Sequence, residues 1–526
     1  MMKKSEVNYE LYLVTDSTEK ILGSRDLVEI VRKAVEGGVT IVQYRDKDSD
    51  AAVQVANAKK LLKVTQAHGI PLLINDRIDV ALAAGADGVH IGQDDIDLPT
   101  ARKMLGDDAI IGVTACSVEE ALTAARQGAD YVGVGTVYAT PTKENAKSII
   151  GVAGTREVLR ALHQENREVK AVCIGGINLS NVERVNFQLS VLDSTRLDGV
   201  AVVSAIIAAA DPKVAAKQFR HSLAHPPPFI GALTQTNILD ALSQQTPFLS
   251  VIERVATQNP LCHNMTNTVV QNFAANVAIA IGGSPIMSTQ AAEAVDLARL
   301  GGSLVVNMGT VTPESIAAYI TAAQAYNAVG GPVVFDPVGA GATGLRRATV
   351  KKLMNEAYFD LIKGNEGEIT TVYGVTDVQQ RGVDSGVSTS TLEEKARLVR
   401  DLALREGCVV LMTGKTDVIS DGRRTFTIEN GHEFLGSITG SGCTLGTTIA
   451  ACLAVAKEDK LLAAMAGVLF FEIAAEVAAA KPGVVGPGTF GIAFLDSLYA
   501  LRNVAVQRSK DGVFLARAKV NVVNFD

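Results

Sequence analysis

The sequence lacks the features that mark several large classes of protein. Basic residues do not exceed acidic ones: 49 lysines and arginines face 56 aspartates and glutamates, spread along the chain, so no broad surface for nucleic acid is expected. No low-complexity tract is present, which argues against a mainly disordered protein. The first residues lack the apolar stretch of a signal peptide, which argues against secretion. Small molecules are therefore the expected partners.

The six cysteines lack the spacing of a metal site or a redox motif, because they are far apart and no CxxC or Cys/His pattern occurs. They are expected to be reduced thiols in a cytoplasmic protein. The sequence also lacks a long apolar segment that is free of charged residues. The most apolar late segment, residues 461–480, contains Glu472 and Glu476, whereas a membrane span needs about 20 residues largely free of charge. We expect a buried core helix there and no membrane partner.

The chain is long enough for two domains, because 526 residues are present and a single core stops growing near roughly 250 to 300 residues. Residues 1–205 repeat a β-rich run, a turn and an Ala-rich segment eight times. This alternation predicts eight parallel strands in a closed (β/α)₈ TIM barrel. The predicted strands are residues 11–15, 40–45, 72–75, 88–91, 110–114, 131–135, 171–175 and 199–203.

A break follows this repeat, because the three prolines at 226–228 bar both helix and sheet ladders. The predicted domains are a barrel over residues 1–225, a linker over 226–245 and a second domain over 246–526. In the second domain β-rich runs alternate with long helical segments, which predicts an open α/β sheet. Its predicted elements are strands at 303–308, 333–336, 361–363 and 409–413, a hairpin of 418–420 with 425–428, and a helix over 443–456.

Polar residues follow successive barrel strands, at the end where such barrels carry their active sites. Gln43, Arg45 and Lys47 alternate along the chain and so point the same way, and two cations with an amide suit a polyphosphate. Asp76 and Asp95 follow the third and fourth strands, and carboxylates beside phosphate-binding cations usually hold Mg²⁺. Taken singly, the cations could be solvated surface charges and Asp95 could belong to a helix N-cap. Their coincidence favours a site for a diphosphate and Mg²⁺.

Three further strand ends add groups suited to a second phosphate. Thr140, Thr142 and Lys143 follow the sixth strand and supply hydroxyls and a cation. Gly175-Gly176 and Val203-Ser204 follow the seventh and eighth strands, where barrels of this kind bind a phosphate monoester through backbone N–H groups.

The first domain resembles thiamine phosphate synthase in the stretches QYRDK, Asn75-Asp76, GVHIGQDD, TPTK, IGGI and VVSAI. The resemblance implies that thiazole phosphate is joined to aminomethylpyrimidine diphosphate, giving thiamine phosphate and pyrophosphate. It implies that the pyrimidine diphosphate is held by Gln43, Arg45, Lys47, Asn75, Thr114 and Lys143, that Asp76 and Asp95 hold Mg²⁺, and that the thiazole phosphate lies against Thr140, Thr142, Gly176, Val203 and Ser204.

The implied reaction depends on charge. Mg²⁺, Arg45, Lys47 and Lys143 would neutralise the departing pyrophosphate, while the aminopyrimidine bears a cation that the thiazole nitrogen attacks. Little general-base chemistry is required, in keeping with the small number of histidines, and His90 is expected to pack or orient rather than catalyse. Thr114 stands where serine is expected in many relatives, and it keeps the hydroxyl.

In the second domain, the most informative stretch is TGSGCT at 439–444, a glycine-rich turn that opens a helix. Its free N–H groups and the helix dipole form an anion hole suited to a transferring phosphoryl group. Asn365 and Glu368 match the N-x-x-E pattern of ribokinase-like kinases, which places Glu368 near Mg²⁺ through water. The Walker pattern GxxxxGK[ST] is absent, which argues against a P-loop kinase.

The stretches CHNMTN, GGSPIMS, VVNMGT, DPVGAGAT, KGNEGEI, MTGKTDVI and TGSGC resemble hydroxyethylthiazole kinase. The resemblance implies a ribokinase-like α/β fold and phosphorylation of the thiazole alcohol, with ATP as co-substrate. It places the alcohol at Met287 and Gly440, and ATP at Lys363 and Thr413. Because related kinases build their thiazole site between subunits of a trimer, it also implies a homo-oligomer with a trimeric kinase core or, alternatively, a hexamer.

Cys443 occupies the position where ribokinase-like sugar kinases usually carry an aspartate base, and it is the predicted proton acceptor. A helix N-terminus is expected to lower the pKa of its thiol from about 8.5. The alternatives are a buried packing thiol for Cys443 and a core side chain for Met287. Lys363 stands where arginine is expected in many relatives, and it keeps the charge without the bidentate geometry.

Three other functions are compatible with parts of the sequence. A thiazole tautomerase would share the barrel and its phosphate site, but it would not need the cations and carboxylates that suit a diphosphate. A sensor of thiamine precursors would bind without turnover, whereas candidate catalytic groups are intact in both domains. A kinase for the pyrimidine alcohol or another vitamin is disfavoured by GGSPIM and TGSGC, which favour the thiazole.

Overall fold

The computed structural model describes residues 4–140, 148–165, 168–190, 197–230, 235–374, 390–507 and 516–525. Two of the predicted site residues, Thr142 and Lys143, lie outside these ranges. The chain forms two compact units, Met1–Pro227 and Pro228–Asp526, and each unit is described by itself.

The first unit is a closed barrel of eight parallel strands that follow one another in chain order. The predicted (β/α)₈ barrel is confirmed, and every predicted strand lies within one residue of an observed one at each end. The strands are β1 (Leu11–Val14), β2 (Ile41–Tyr44), β3 (Leu72–Asn75), β4 (Gly88–Ile91), β5 (Ile110–Ala115), β6 (Tyr131–Gly135), β7 (Lys170–Ile174) and β8 (Gly199–Val202).

Helices surround these strands, and polar caps fix where several of them begin. The side chains of Asp26, Asp97, Ser117 and Asp211 each accept a hydrogen bond from a backbone N–H of the first helical turn. The helices are α1 (Glu19–Leu22), α2 (Leu27–Glu36), α3 (Ala51–Ala67), α4 (Ile78–Ala84), α5 (Leu98–Leu105), α6 (Val118–Arg126), α7 (Gly151–Gln164), α8 (Val182–Ser190), α9 (Ser204–Ile207) and α10 (Pro212–Ala224).

The barrel has two cores because its strands point side chains alternately inward and outward. The larger core lies between strands and helices and includes Val42, Val89 and Phe219. The inner core is formed by side chains that point into the barrel and includes Tyr12 and Tyr131. The packed interior leaves the strands' carboxyl ends as the place for a cavity.

The second unit contains a nine-stranded sheet in the order β10-β9-β11-β12-β13-β14-β15-β16-β17. The strands from β10 to β14 are parallel, and the last three pair antiparallel. The predicted open α/β sheet and its hairpin are confirmed. The strands are β9 (Leu261–Met265), β10 (Ser284–Ile286), β11 (Ser303–Asn307), β12 (Val333–Asp336), β13 (Leu361–Asn365), β14 (Val409–Thr413), β15 (Asp417–Ser420), β16 (Thr425–Ile428) and β17 (Val520–Val522).

The helices of this unit cover the sheet, and α11 falls within the predicted linker, where Ile238 and Ala241 are buried in the unit's core. The helices are α11 (Ile238–Gln244), α12 (Thr246–Gln258), α13 (Gln271–Ile281), α14 (Ala294–Arg299), α15 (Pro313–Ala328), α16 (Gly344–Glu356), α17 (Glu366–Tyr373), α18 (Leu392–Glu406), α19 (Ser441–Val455), α20 (Lys460–Ala479) and α21 (Pro487–Gln507).

Helix α20 is the most apolar helix described. By length and composition alone it could cross a membrane, but 89% of its most apolar window is buried inside the protein. It packs against α19 and α21 as the predicted core helix, with Phe470 and Phe471 nearly inaccessible. All six cysteines are free thiols, as the sequence predicts.

Candidate active sites

A cavity of about 810 Å³ opens at the carboxyl ends of the barrel strands. Every predicted barrel site residue that the structure describes contributes to its lining. These residues are Gln43, Arg45, Lys47, Asn75, Asp76, Asp95, Thr114, Thr140, Gly176, Val203 and Ser204.

Charged and polar contacts order the part of the cavity near β2. The Arg45 guanidinium (Nη1) lies 3.0 Å from Oδ2 of Asp16, whose side chain is almost fully buried. Gln43 Nε2 donates to Asn75 Oδ1 at 3.3 Å. Lys47 Nζ lies 3.5 Å from Asp76 Oδ2 and is more than half exposed. One cation is therefore held in place and the other can move toward a ligand.

Asp76 and Asp95 form a carboxyl pair at this edge. Burial, together with the hydrogen bond and charge of Asp95, raises the pKa of Asp76. Asp76 has a left-handed backbone conformation with φ of 62°, and Asp95 Oδ2 accepts a hydrogen bond from the Gly92 N–H at 2.7 Å. A pair of carboxyl groups in which the charge of Asp95 raises the pKa of Asp76 fits a divalent cation, whose other ligands would be water and phosphate oxygens. Within the described ranges, no group of three or more His, Cys, Asp or Glu side chains is placed to hold a metal.

The loop after β7 leaves room for a ligand against its backbone. Gly175 and Gly176 both have positive φ, at 109° and 66°. A side chain at Gly176 would lie 2.7 Å from Tyr138 Cβ and 2.9 Å from the Ala139 carbonyl oxygen, so the turn requires glycine. Asn181 Nδ2 donates to the Gly176 carbonyl oxygen at 3.0 Å and fixes the loop.

The second unit gathers its polar groups at the carboxyl ends of β11, β12 and β13. Lys363 Nζ lies 3.2 Å from Asp336 Oδ1, and both side chains are buried. Asn307 Nδ2 donates to Asp336 Oδ2 at 2.8 Å and to Cys443 Sγ at 3.2 Å. Asn267 Nδ2 in turn donates to Asn307 Oδ1 at 3.1 Å. Asn307 thus links Cys443, in the first turn of α19, to the ion pair of Lys363 and Asp336.

The predicted lowering of the Cys443 pKa is wrong. Burial first, and then the charge of Asp336, raise the pKa of this thiol to about 12, although Lys363 and Asn307 act in the opposite direction. Desolvation and a nearby carboxylate outweigh the helix N-terminus. The thiol is therefore protonated near neutral pH.

Glu368 has both carboxylate oxygens engaged by the backbone. Oε1 accepts from the Gly339 N–H and Oε2 from the Asn365 N–H, each at 2.8 Å. Asn365 Oδ1 accepts from the Glu368 N–H, which completes a capping box at the start of α17. Burial and the charge of Asp336 raise the pKa of Glu368 to about 7. The N-x-x-E pattern thus fixes a helix start beside the site.

The remaining predicted kinase residues lie on separate elements. Met287 follows β10, and His263 Nε2 bonds the carbonyl oxygen of the next residue, Ser288, at 2.9 Å. Gly440 precedes α19 with φ of 87°, and a side chain there would overlap Val270. Thr413 ends β14 and is half-buried. Lys363 lies beneath the glycine turn, since its Nζ would be 3.8 Å from a Cβ at Gly442.

Comparison with known proteins assigns each unit to a known family. Residues 11–206 match the family model of thiamine monophosphate synthase, and residues 252–504 match that of the hydroxyethylthiazole kinase family. A probable thiamine biosynthetic bifunctional enzyme of Schizosaccharomyces pombe is 43% identical over 523 residues, which are 98% of this chain and 99% of that relative. This chain belongs to the family of bifunctional thiamine biosynthetic enzymes.

Two other relatives are similar to the whole chain or to one unit. The thiamine biosynthetic bifunctional enzyme of Saccharomyces cerevisiae is 37% identical, with 95% of this chain and 96% of the relative covered. A hydroxyethylthiazole kinase of Chloroflexus aurantiacus is 42% identical over 250 residues, which are 47% of this chain and 90% of that protein. The predicted pairing of a synthase domain with a kinase domain is confirmed. Membership of the kinase family makes ATP a co-substrate.

Three further polar residues lie at the sites of this bifunctional family member and were not predicted from its sequence. Asp16, which holds Arg45, comes two residues after β1. Asn267 and Asn307 lie within the CHNMTN and VVNMGT stretches, and Asn307 ends β11. All three are polar residues at or just beyond the carboxyl end of a parallel strand, and that placement is the signal that would have identified them.

Proposed function

We propose that the second unit transfers phosphate from ATP to hydroxyethylthiazole and that the barrel joins the resulting thiazole phosphate to aminomethylpyrimidine diphosphate. The products are thiamine phosphate and pyrophosphate. The observation that carries the proposal is the single cavity that holds two cations, a carboxyl pair and a glycine turn at one barrel end. These are the groups that a diphosphate and a phosphate monoester require together.

In the barrel, the chain's own residues bind and orient. Arg45, held by Asp16, would grip the diphosphate, and the more exposed Lys47 would close on it. The turn at Gly175-Gly176 would receive the thiazole phosphate, with Thr140, Val203 and Ser204 around it. Asp76 and Asp95 would hold Mg²⁺, which when bound supplies positive charge against the departing pyrophosphate. The reaction needs no strong base, because the thiazole nitrogen attacks with a lone pair.

In the kinase unit, the N-terminal turn of α19 offers free backbone N–H groups to the transferring phosphoryl group. Lys363, beneath that turn, adds charge, while Thr413 would contact ATP from the end of β14. Met287 and Gly440 would contact the thiazole alcohol, and Cys443 would accept its proton. Because the thiol is protonated at rest, this role requires a pH-dependent rate.

We further propose that the enzyme is cytoplasmic, that its domains are 1–225 and 246–526 with 226–245 between them, and that the kinase units form a trimer, with a hexamer as the alternative. The trimer proposal follows from the kinase family resemblance. Light scattering by the purified chain distinguishes these states from a monomer.

The decisive experiment supplies purified protein with Mg²⁺-ATP, hydroxyethylthiazole and aminomethylpyrimidine diphosphate, and separates the products by chromatography. Thiamine phosphate is expected, and it should disappear when either ATP or the diphosphate is omitted. When thiazole phosphate replaces the alcohol, thiamine phosphate should form without ATP but should still require the diphosphate. If only thiazole phosphate accumulates, the barrel assignment is wrong; if thiazole phosphate is consumed but never formed, the kinase assignment is wrong.

A further inference from the structure

A continuous chain of hydrogen bonds rises through the barrel interior to the cavity. Tyr12 Oη lies 2.7 Å from Tyr131 Oη, Tyr131 Oη lies 2.8 Å from His90 Nδ1, and His90 Nε2 lies 2.8 Å from Thr114 Oγ1. These four residues come from β1, β6, β4 and β5, and all of them border the cavity, although Tyr12 and Tyr131 are buried at 2% and 0% exposure. The chain ends at the predicted pyrimidine-diphosphate residue Thr114.

The neighbouring strands are shaped to admit these rings. A side chain at Gly112 would overlap the Tyr131 ring, and a Cβ at Gly133 would lie 2.9 Å from His90 Cε1. The Tyr131 ring packs against both partners, with centroids 5.7 Å from Tyr12 and 5.5 Å from His90. Two glycines thus leave the space that the rings occupy, and the rotamers of the chain are fixed by packing.

Burial of the lower end decides which way the hydrogen bonds run. If the Thr114 hydroxyl donated to His90, then His90 would donate to Tyr131 and Tyr131 to Tyr12. The hydroxyl proton of Tyr12 would then need a further acceptor. Tyr12 is 2% exposed, and Tyr131 is the hydrogen-bond partner that the described residues give its hydroxyl. A buried donor without an acceptor is costly. In the opposite direction every buried proton is used: Tyr12 donates to Tyr131, Tyr131 to His90 Nδ1, and His90 Nε2–H to Thr114 Oγ1.

We propose that Tyr12, Tyr131 and His90 are positioning residues that fix the Thr114 hydroxyl as a hydrogen-bond donor toward the cavity. Its partner is a hydrogen-bond acceptor on the pyrimidine diphosphate, either a ring nitrogen or a phosphate oxygen. In this direction His90 Nδ1 accepts from Tyr131 and His90 Nε2–H donates to Thr114. This inference rests on the proposed function of the barrel for the identity of the ligand, but the direction of the chain is independent of it.

The tautomer of His90 tests the direction without any assay of activity. The protein contains seven histidines, and ¹⁵N labelling of their rings allows the His90 signals to be assigned by their loss in His90→Gln. At neutral pH we expect Nδ1 unprotonated and Nε2 protonated. A proton on Nδ1 would overturn the inference.

A double-mutant cycle tests whether the chain acts through Thr114. Tyr131→Phe keeps the ring, and we expect it to lower synthase kcat/KM about three- to tenfold, the effect of one hydrogen bond. In a Thr114→Val background the same substitution should change kcat/KM less than about twofold, because the hydroxyl through which Tyr131 would act is absent. Tyr12→Phe should behave like Tyr131→Phe but more weakly, and Thr114→Ser should keep the coupling.

The matched control is Tyr9→Phe, which removes a hydroxyl from a ring whose centroid is 5.0 Å from that of Tyr131 but which stands outside the chain. It should leave kcat/KM unchanged. Equal losses for Tyr131→Phe in both backgrounds would show a merely structural role and refute the proposal. If the wild-type protein forms no thiamine phosphate, the proposed function of the barrel fails instead, and the tautomer measurement still decides the direction of the chain.

Discussion

Cys443 combines a position suited to catalysis with a thiol that resists ionisation. Its pKa of about 12 reflects burial and the neighbouring Asp336. If Cys443 accepts the proton of the thiazole alcohol, the reactive form is the thiolate, whose fraction rises with pH. We therefore expect kinase kcat/KM to rise about tenfold per pH unit between roughly pH 6 and 9. The measurement is the initial rate at saturating Mg²⁺-ATP across that range.

Substitution at the same position provides the control. Cys443→Asp should retain substantial activity and flatten the pH dependence, since a carboxylate is already ionised, while Cys443→Ala should lose much of the activity. A wild-type profile that is flat above pH 6, or equal rates for all three proteins, would remove Cys443 from the proton transfer.

Asp16 determines the placement of Arg45, so its charge should matter to the synthase although it lies beneath the substrate-facing residues. We expect Asp16→Asn to lower synthase kcat/KM about tenfold, chiefly through a higher KM for the pyrimidine diphosphate, because the guanidinium loses its ionic partner. Steady-state kinetics of both reactions on one preparation provides the check. The kinase rate should be unchanged, and an unchanged KM for the diphosphate would contradict the prediction.

Residues that line the barrel cavity could be located from the sequence because they lie at or shortly after the carboxyl ends of strands whose positions the β/α repeat reveals. Gln43, Arg45 and Lys47 are examples, and the structure places all three in one cavity. The Cys443 pKa could not be predicted in the same way. It depends on burial and on Asp336, which lies more than one hundred residues away along the chain.

At the scale of elements, alternation predicted most strands but failed for β9, β10 and β17. The interior of β9 includes His263 and Asn264, both buried, and Asn264 Oδ1 accepts a hydrogen bond from Thr447 at 2.7 Å. A strand whose buried polar side chains form hydrogen bonds with a distant helix lacks the apolar pattern by which strands are recognised in a sequence. Strand β10 has only three residues, one of them Pro285, and forms the sheet edge, where proline is tolerated.

A buried carboxyl pair joins β15 to α20. Burial raises the pKa of Asp417 to about 6, and burial with the charge of Asp417 raises that of Glu472 well above its usual value. Asp417 Oδ2 and Glu472 Oε2 are buried and have no hydrogen-bond partner by geometry among the described residues. A shared proton, donated by Glu472 to the Asp417 carboxylate, explains both observations.

This pair predicts that stability falls as pH rises. Both folded-state pKa values exceed those of the unfolded chain, so the folded form binds more protons above about pH 4.5, and unfolding free energy declines by up to about 1.4 kcal/mol per pH unit for each proton. Glu472→Gln keeps a donor to Asp417 without titrating. We expect it to match the wild type near pH 4.5 and to be more stable at pH 8 in urea unfolding.

The control for this prediction is Glu458→Gln, which alters an exposed carboxylate paired with Arg254. It should leave the slope of stability against pH as it is in the wild type. Parallel curves for the wild type and Glu472→Gln would show that the pair does not share a proton.

At the scale of the whole molecule, each unit supplies its own described site residues. The barrel cavity is lined entirely from the first unit, and the cluster around Asp336 comes entirely from the second. Within the described ranges, neither site includes a side chain from the other unit, so thiazole phosphate released by one enzyme molecule should serve any other. We expect a mixture of Asp76→Asn, defective in the synthase, and Asp336→Asn, defective in the kinase, to make thiamine phosphate from the alcohol.

At equal concentrations of intact sites, the mixture should reach the same steady-state rate as the wild-type enzyme, because the slower of two uncoupled reactions sets the flux. Each variant alone should fail from the alcohol, while Asp336→Asn should succeed from thiazole phosphate. The rate is followed by chromatography as enzyme concentration is lowered at constant ratio. A mixture that falls progressively behind the wild type on dilution would demonstrate direct transfer within one chain, since tethering then supplies a local concentration that free diffusion cannot.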